Sequence, residues 1–430
     1  MSKMYITDEP PGNPRKVVDW RKEMKKLLVL LSMILFGAVL TVPISPVVYS
    51  GSGVAWASGL SSQETLVQGN TAYAVQLYRE LGAKEGNLFF SPYSVSSALG
   101  MTYAGARGNT EKEMKDVLHF SLDQADLPSA FKKLNRKLSV AAQKSGQKLN
   151  IANALVLTGG DVDRAFKNIL KDKYDAEIFS GGLGAINGWV KKKTEGKIEK
   201  ILEELDANSV CVLLNAIYFK GTWASPFEKR RTVDAPFKVS NSQRVTVPLM
   251  YQKDKFKMLT EPDFQMVDVP YRGQNLSMVI LLPQAVEGLA GLEKQLSIEN
   301  LQGWLSKLDA SDAEEIKLYL PKFKLETGYD LVSPSQRMGM KDAFDLAKAD
   351  FSGMGWRKGS LYISQIKHKA VVEVNEEGTE AAAATAVEMA TKSMPFHPVF
   401  RADHPFFFMI RDKTSGTVLF MGRMVDPGNK

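Results

Sequence analysis

The sequence has almost no cysteine, little histidine, and none of the short motifs that mark common catalytic centres. A single cysteine in 430 residues, Cys211, excludes an intramolecular disulfide. It sits in the apolar run VCVLLNAIYF and reads as a buried thiol. A thiol nucleophile is the sharper alternative, but no neighbour in sequence favours the thiolate. The four histidines are His119, His368, His397 and His404, too few to give a histidine-dependent hydrolase much choice of general base. His397 and His404 as a pair of metal ligands across a proline-containing loop would be a weak set. No G-x-S-x-G, H-E-x-x-H, phosphate-binding G-x-x-x-x-G-K-[ST] or dinucleotide G-x-G-x-x-G occurs. No catalytic residue, metal or cofactor is therefore expected.

Strong charge is also absent. The chain is 44% hydrophobic and 24% charged, an ordinary globular balance. Its net charge of +7 falls to +4 without residues 1–57, because that stretch holds seven Lys/Arg and four Asp/Glu, leaving 48 against 44. Nothing here favours nucleic-acid binding. The one long apolar run is N-terminal: Lys25 and Lys26, apolar residues from Leu27 to Val42, then VAWAS with Ala55 and Ala57 at small-x-small spacing. This pattern predicts a signal segment over 1–57, cleavage after Ala57 and a secreted, extracellular protein that is not membrane-embedded when mature, with Met24 an alternative start. A retained anchor is the competing reading, although the run is short and Pro43 and Pro46 follow it directly.

Apolar spacing of three and four makes residues 61–208 mainly helical. ETLVQGNTAYAVQLYREL, SPYSVSSALGMTYAGA, NTEKEMKDVLHF, LPSAFKKLNRKLSVAA and DRAFKNILKDKYDAEIF carry it. The second half turns to short β-rich runs, SVCVLLNAIYF, LSMVILL, EIKLYLPKF, AVVEV, PFFFMIRD and TVLFMG. Helices early and strands late predict an α+β fold in a single domain over 58–430. The Asn275-Leu276-Ser277 sequon heads one of these strands, which argues against glycosylation.

Between AVVEV and PFFFMIRD lie about thirty residues without a regular element, a length that is usually functional. Within them every second residue from Thr379 to Thr391 is uncharged, whereas the intervening set holds Glu380, Glu388 and Lys392. A period of two describes a strand with one buried face. Alanine propensity argues for a helix instead. Both readings hold if the segment changes state.

From about Gln68 onward the chain resembles the serpin family. The residues that carry the likeness are EEGTEAAAATA, NLFFSPYSVSSALGMTYAGARGNTEKEM, ANALVL, INGWVKKKTEGKI, LLNAIYFKGTWASPF and HPFFFMIRDKTSGTVLFMGRMVDP, in the family's order. The resemblance implies a serpin fold of three β-sheets and about nine helices, here in a secreted, prokaryotic-type member that is a monomer. It implies a reactive loop over 376–404 with a hinge formed by Glu376, Glu377, Gly378, Thr379, Glu380, Ala381, Ala382, Ala383 and Ala384. The implied activity is suicide inhibition of a serine protease, in which the cleaved loop inserts into the main sheet while the protease is held as an acyl-enzyme. About sixteen residues beyond Glu376 the family's spacing reaches Lys392-Ser393, and lysine there suits a trypsin-like pocket. Met389 and Met394 are the competing positions.

The likeness further implies a polar shutter of Ser91, Ser94, Asn215 and His368, with Trp223 near the first insertion point. Lys132, Lys133, Arg136 and Lys137 fall in the helix where some serpins bind sulfated polysaccharide, although a charge run on a helix is more often a solvated face. In LVSPSQRMGMKDAF, Pro334 and Ser335 replace usually apolar positions, so that helix is expected to begin only at about Ser335. A non-inhibitory binding serpin is the main alternative, and a secreted hydrolase a more distant one.

Overall fold

The structure, a computed structural model, describes residues 59–205, 209–378 and 397–428. Its first half runs α1 (Ser62–Gly82), β1 (Leu88–Phe90), α2 (Pro92–Tyr103), α3 (Gly108–Val117), α4 (Leu127–Lys144), β2 (Lys148–Leu157), α5 (Arg164–Tyr174), β3 (Glu177–Ser180) and α6 (Leu183–Lys193). After it come β4 (Cys211–Lys220), β5 (Val233–Lys238), β6 (Arg244–Thr260), β7 (Phe264–Pro270) and β8 (Leu276–Pro283). The remainder is α7 (Leu289–Gln295), α8 (Ile298–Ala310), β9 (Ala313–Pro321), β10 (Phe323–Asp330), α9 (Val332–Met338), β11 (Gln365–Val374), β12 (Val399–Arg401), β13 (Phe406–Asp412) and β14 (Thr417–Met424). Among the described residues no helix is long and apolar enough to cross a membrane.

Hydrogen bonding joins the strands into two ladders. One is five-stranded, in the order β10-β11-β4-β2-β3. The other runs β1-β14-β13-β8-β7-β6-β9-β12 with β5 on β6. This second ladder is continuous because β6, at 17 residues, pairs successively with β5, β9 and β7. Two of the three expected sheets are thereby linked through one long strand.

The five-stranded sheet is buried on both faces, which is why β4 reads as an unbroken apolar run. Cys211, Leu213, Ile217 and Phe219 enter the main core, whereas Val212, Leu214 and Ala216 meet Ile186, Trp189 and Val190 of α6 in a second core. Cys211 lies in the first of these layers, and burial pushes its thiol up to about 12, so it is packing material rather than a nucleophile. Ser277 is fully buried in β8, which leaves no room for a glycan on the sequon.

Local signals decide the helix starts. Ser91 caps α2 by accepting from Ser94 N–H, and Pro92 occupies the first helical position, where no N–H is needed. Ser61 and Glu64 form a capping box at α1. The helix at α9 starts at Val332, earlier than expected: Pro334 falls within the first turn, where a missing N–H costs nothing, and both it and Ser335 are buried. The nominally helical first half also contains β2, a ten-residue strand.

Candidate functional site

β4 and β11 are parallel neighbours, in register from Val212 opposite Gln365 to Tyr218 opposite Val371. Both neighbouring pairs, β10 with β11 and β2 with β4, are antiparallel. The parallel seam therefore lies mid-sheet, and a polar row crosses it beneath. Register places Tyr329, His368, Asn215 and Asn153 side by side on four consecutive strands.

The row is closed by hydrogen bonds. His368 Nε2 accepts from Ser91 N–H at 3.1 Å, so the ring proton is on Nδ1, which donates to Asn215 Oδ1 at 2.5 Å. Asn215 Nδ2 donates to Asn153 Oδ1 at 2.6 Å and to Ser94 Oγ at 2.5 Å. Ser91 Oγ–H donates to the Leu419 carbonyl at 2.6 Å. The first turn of α2 thus clasps both strands of the seam from below. All of these side chains are buried, so parting the strands orphans the Asn215 and His368 groups, a cost of about 1–3 kcal/mol for each lost partner. Asn153 belongs to this row and had no distinguishing signal in the sequence.

At the C-terminal end of β11 the chain reverses. Asn375 and Gly378 exchange backbone hydrogen bonds at 2.9 and 3.2 Å, and Gly378 also bridges Thr222. Gly378 has φ +116°, and a Cβ there would lie 2.2 Å from the Gly221 carbonyl oxygen, so only glycine fits. Trp223 supports the turn from three directions. Its backbone N–H donates to the Glu377 carbonyl at 3.0 Å, its indole N–H donates to the Asn375 carbonyl at 3.0 Å, and its ring stacks on Tyr271 at 4.5 Å.

Two glutamates lock the turn. Glu376 is 5% exposed, accepts from Thr232 Oγ1–H at 2.9 Å and pairs with Lys322 at 2.9 Å. Burial opposes its charge, but hydrogen bonds from Lys322, its own backbone and Thr232 together hold its carboxyl below the usual range. Glu377 pairs with Lys229 at 2.6 Å. Sequence reasoning missed Lys322, Thr232 and Lys229, which are far from the hinge in the chain.

The other expected residues are dispersed. Thr379, Glu380, Ala381, Ala382, Ala383, Ala384, Lys392 and Ser393 lie outside the described residues, as does the segment 1–57. Lys132, Lys133 and Arg136 are exposed on α4, and Lys137 donates to the Thr414 carbonyl at 3.4 Å. His397 faces Glu315 at 3.4 Å, whereas His404 contacts Asp403 and the Pro283 carbonyl, so the two share no partner. Among the described residues no three His, Cys, Asp or Glu side chains converge as a metal site.

A family profile described as Serpin (serine protease inhibitor) matches residues 68–427. The chain belongs to the serpin family. Leukocyte elastase inhibitor from Sus scrofa is 41% identical and that from Homo sapiens 40%, and Serpin B6 from Pongo abelii is 39% identical. Each is covered over 100% of its length by 85% of this chain. Solved serpin folds agree: human thyroxine-binding globulin complexed with thyroxine has TM-score 0.78 at 29% identity, covering 85% of this chain and 100% of that one. The thermophilic serpin tengpin in its native state has TM-score 0.78 at 28% identity, covering 86% and 96%. As in these relatives, named as inhibitors, the chain is a protease inhibitor and not an enzyme.

These relatives overturn the export expectation. The inhibitors and Serpin B6 are complete within the part of this chain that they match, so they have no counterpart of a leader ahead of the fold. A signal peptide and a secreted, extracellular location are corrected on that ground, and the prokaryotic-type assignment because these relatives are mammalian. The error came from composition: two lysines, an apolar run and small residues resemble a leader whatever serpin branch follows them.

The row beneath the seam makes stability pH-dependent. Burial lowers His368 to about 3 from an ordinary 6.5, so the neutral ring's contribution is complete above pH 6.5 and is lost as pH falls towards 3. Urea unfolding should show about 2 kcal/mol less stability at pH 5.0 than at pH 7.5 from this group. In His368→Gln that part of the pH slope should be absent, and an unchanged slope would count against the assignment.

Proposed function

We propose that the chain inhibits trypsin-like serine proteases by accepting attack at Lys392-Ser393, retaining the protease as an acyl-enzyme, and inserting residues 379 onward between β4 and β11. The observation that carries this reading is Gly378, which bridges antiparallel to Thr222 at the end of β4 and to Asn375 at the end of β11. A strand continuing from Gly378 down the seam would run antiparallel to both neighbours. Insertion of this kind is a recognised form of strand addition, in which main-chain hydrogen bonds supply the energy and side-chain pockets the selectivity.

In this reading Glu376, Glu377 and Gly378 are the fixed end of the hinge, and Thr379 is the first side chain to be buried. Ser91, Ser94, Asn215 and His368 form the shutter that must part, and Trp223 holds the insertion point. The uncharged alternate residues from Thr379 to Thr391 fit a face entering a closed sheet. A charge at the first position would have to be desolvated, at a cost of several kcal/mol. Thr379→Arg should therefore leave cleavage intact but divert the protein into the substrate pathway, seen as a many-fold rise in the stoichiometry of inhibition. An unchanged stoichiometry would argue against insertion from Thr379.

The bait residue separates two target classes. Leukocyte elastase inhibitor, a relative, is named for an elastase. A lysine at the scissile bond instead suits a primary pocket with an acidic base. Trypsin should give an SDS-stable complex and leukocyte elastase little or none, and Lys392→Glu should abolish the trypsin complex. A trypsin complex that survives in Lys392→Glu would move the scissile bond elsewhere. The second reading, a non-inhibitory binding serpin, draws on the thyroxine-binding globulin fold, and loop cleavage without any covalent complex would favour it. The polyanion site on α4 is a lesser proposal, supported by the exposure of Lys132, Lys133 and Arg136.

A further inference from the structure

The outward face of β12, β9 and β6 carries a row of four stacked side chains. Arg401 lies over the Tyr319 ring at 4.7 Å, Tyr319 meets Tyr251 at 4.8 Å, and Arg231 lies over Tyr251 at 5.7 Å. Strand register builds the row: Arg401 is opposite Tyr319, and Tyr319 opposite Tyr251. A cation over each end of an aromatic pair holds all four side chains in place without burying the charges. All four remain partly exposed.

The rest of the face is cationic. Alternation places Lys253 and Lys317 beside the row and opposite each other across β6 and β9. Lys255 and Lys257 continue the same side of β6. One carboxylate shares the face, Glu315, which pairs with Lys253 at 2.9 Å and faces His397 at 3.4 Å. At the two ends Asp403 approaches Arg401 at 3.2 Å and Glu228 approaches Arg231 at 3.3 Å. Positive charge outweighs negative, and the Arg and Tyr side chains are of the kinds enriched at binding hot spots.

Position names the occupant. β12 begins at Val399, six residues after Ser393, so a protease seated on the proposed scissile bond is within about 20 Å of this face along the chain. A protease domain is on the order of 40 Å across. We propose that the Arg401-Tyr319-Tyr251-Arg231 row with Lys253 and Lys317 is a secondary docking surface for the target protease, recognising an acidic patch on the side that faces the C-terminal half of the loop. The proposal rests on the reading of Lys392-Ser393 as the reactive bond. The row supplies pre-ordered contacts that cost little entropy on docking, and the lysines steer the encounter, so its effect falls mainly on the association rate.

The test uses an anionic and a cationic trypsin, which share an acidic primary pocket but differ in net charge. Association rate constants at low and high NaCl are compared for wild type and for Arg401→Gln combined with Lys317→Gln. Wild type should associate about ten-fold faster with the anionic enzyme at low salt, within the range of electrostatic steering, and the double variant should lose most of this preference with unchanged stoichiometry of inhibition. Tyr319→Phe, which keeps the ring, should behave as wild type. Equal salt slopes in wild type and the double variant overturn the proposal. Capture of a heparin fragment by this face, lost in the double variant without any change in trypsin kinetics, overturns it in favour of a polyanion site. Absence of an SDS-stable complex with either trypsin refutes Lys392 rather than the surface. In that case the salt series is run with leukocyte elastase, a basic enzyme, which the double variant should inhibit faster because like-charge repulsion is relieved; no acceleration overturns the proposal.

Discussion

Everything proposed for this molecule depends on one parallel contact, β4 beside β11. A chain that leaves β11 through a tight turn returns antiparallel to it. Because β4 is parallel to β11, that returning segment is antiparallel to β4 as well, so a single strand can satisfy both edges of an opened seam. One parallel ladder is then exchanged for two antiparallel ladders, which pair slightly better per residue. Were β4 antiparallel to β11, the same turn would give one antiparallel and one parallel edge, and the gain would be smaller. Gly378 already stands at the mouth of this arrangement, bonded to Asn375 on one side and bridging Thr222 on the other.

Two polar devices hold the seam at different heights. Beneath it, His368, Asn215 and Asn153 form a row that is satisfied only while β11, β4 and β2 remain in register. Above it, Glu376 and Glu377 fix the turn to Lys322, Thr232 and Lys229. Buried polar networks are costly when half-satisfied, which makes them effective latches. The lower latch resists separation of the strands, and the upper one keeps the hinge from sliding. Neither exists without the other elements of the fold: α2 brings Ser91 and Ser94 to the row, and the short turn before β5 brings Lys229 and Thr232 to the hinge.

How much of this was legible in the sequence follows from the range of each interaction. Caps at Ser61 and Ser91, the apolar run of β4 and the alternating loop are local, and they were readable from spacing alone. The family likeness added Ser91, Ser94, Asn215, His368 and Trp223, which no spacing rule would have grouped. Asn153 escaped because β2 follows a run of helices and its asparagine looks like any other polar residue there. Lys322 and Thr232 escaped for a different reason: they reach Glu376 across 54 and 144 residues of chain, and no motif encodes such a meeting. The leader was misread because composition alone does not say which serpin branch a chain belongs to.

The same 3-residue turn, Lys229–Arg231, links the two halves of the proposed mechanism. Lys229 holds Glu377 at the hinge, and Arg231 caps the aromatic row on the outward face of β6. A protease drawn to that row meets the loop on one side and, through this turn, a group that restrains the hinge on the other. Docking and release are thus built from adjacent residues on one short segment. A contact that shifts Arg231 can reach Glu377 without passing through the core, where close packing resists small displacements. The placement favours a division of labour in which the outward face sets how fast a protease arrives and the two latches set when the sheet opens.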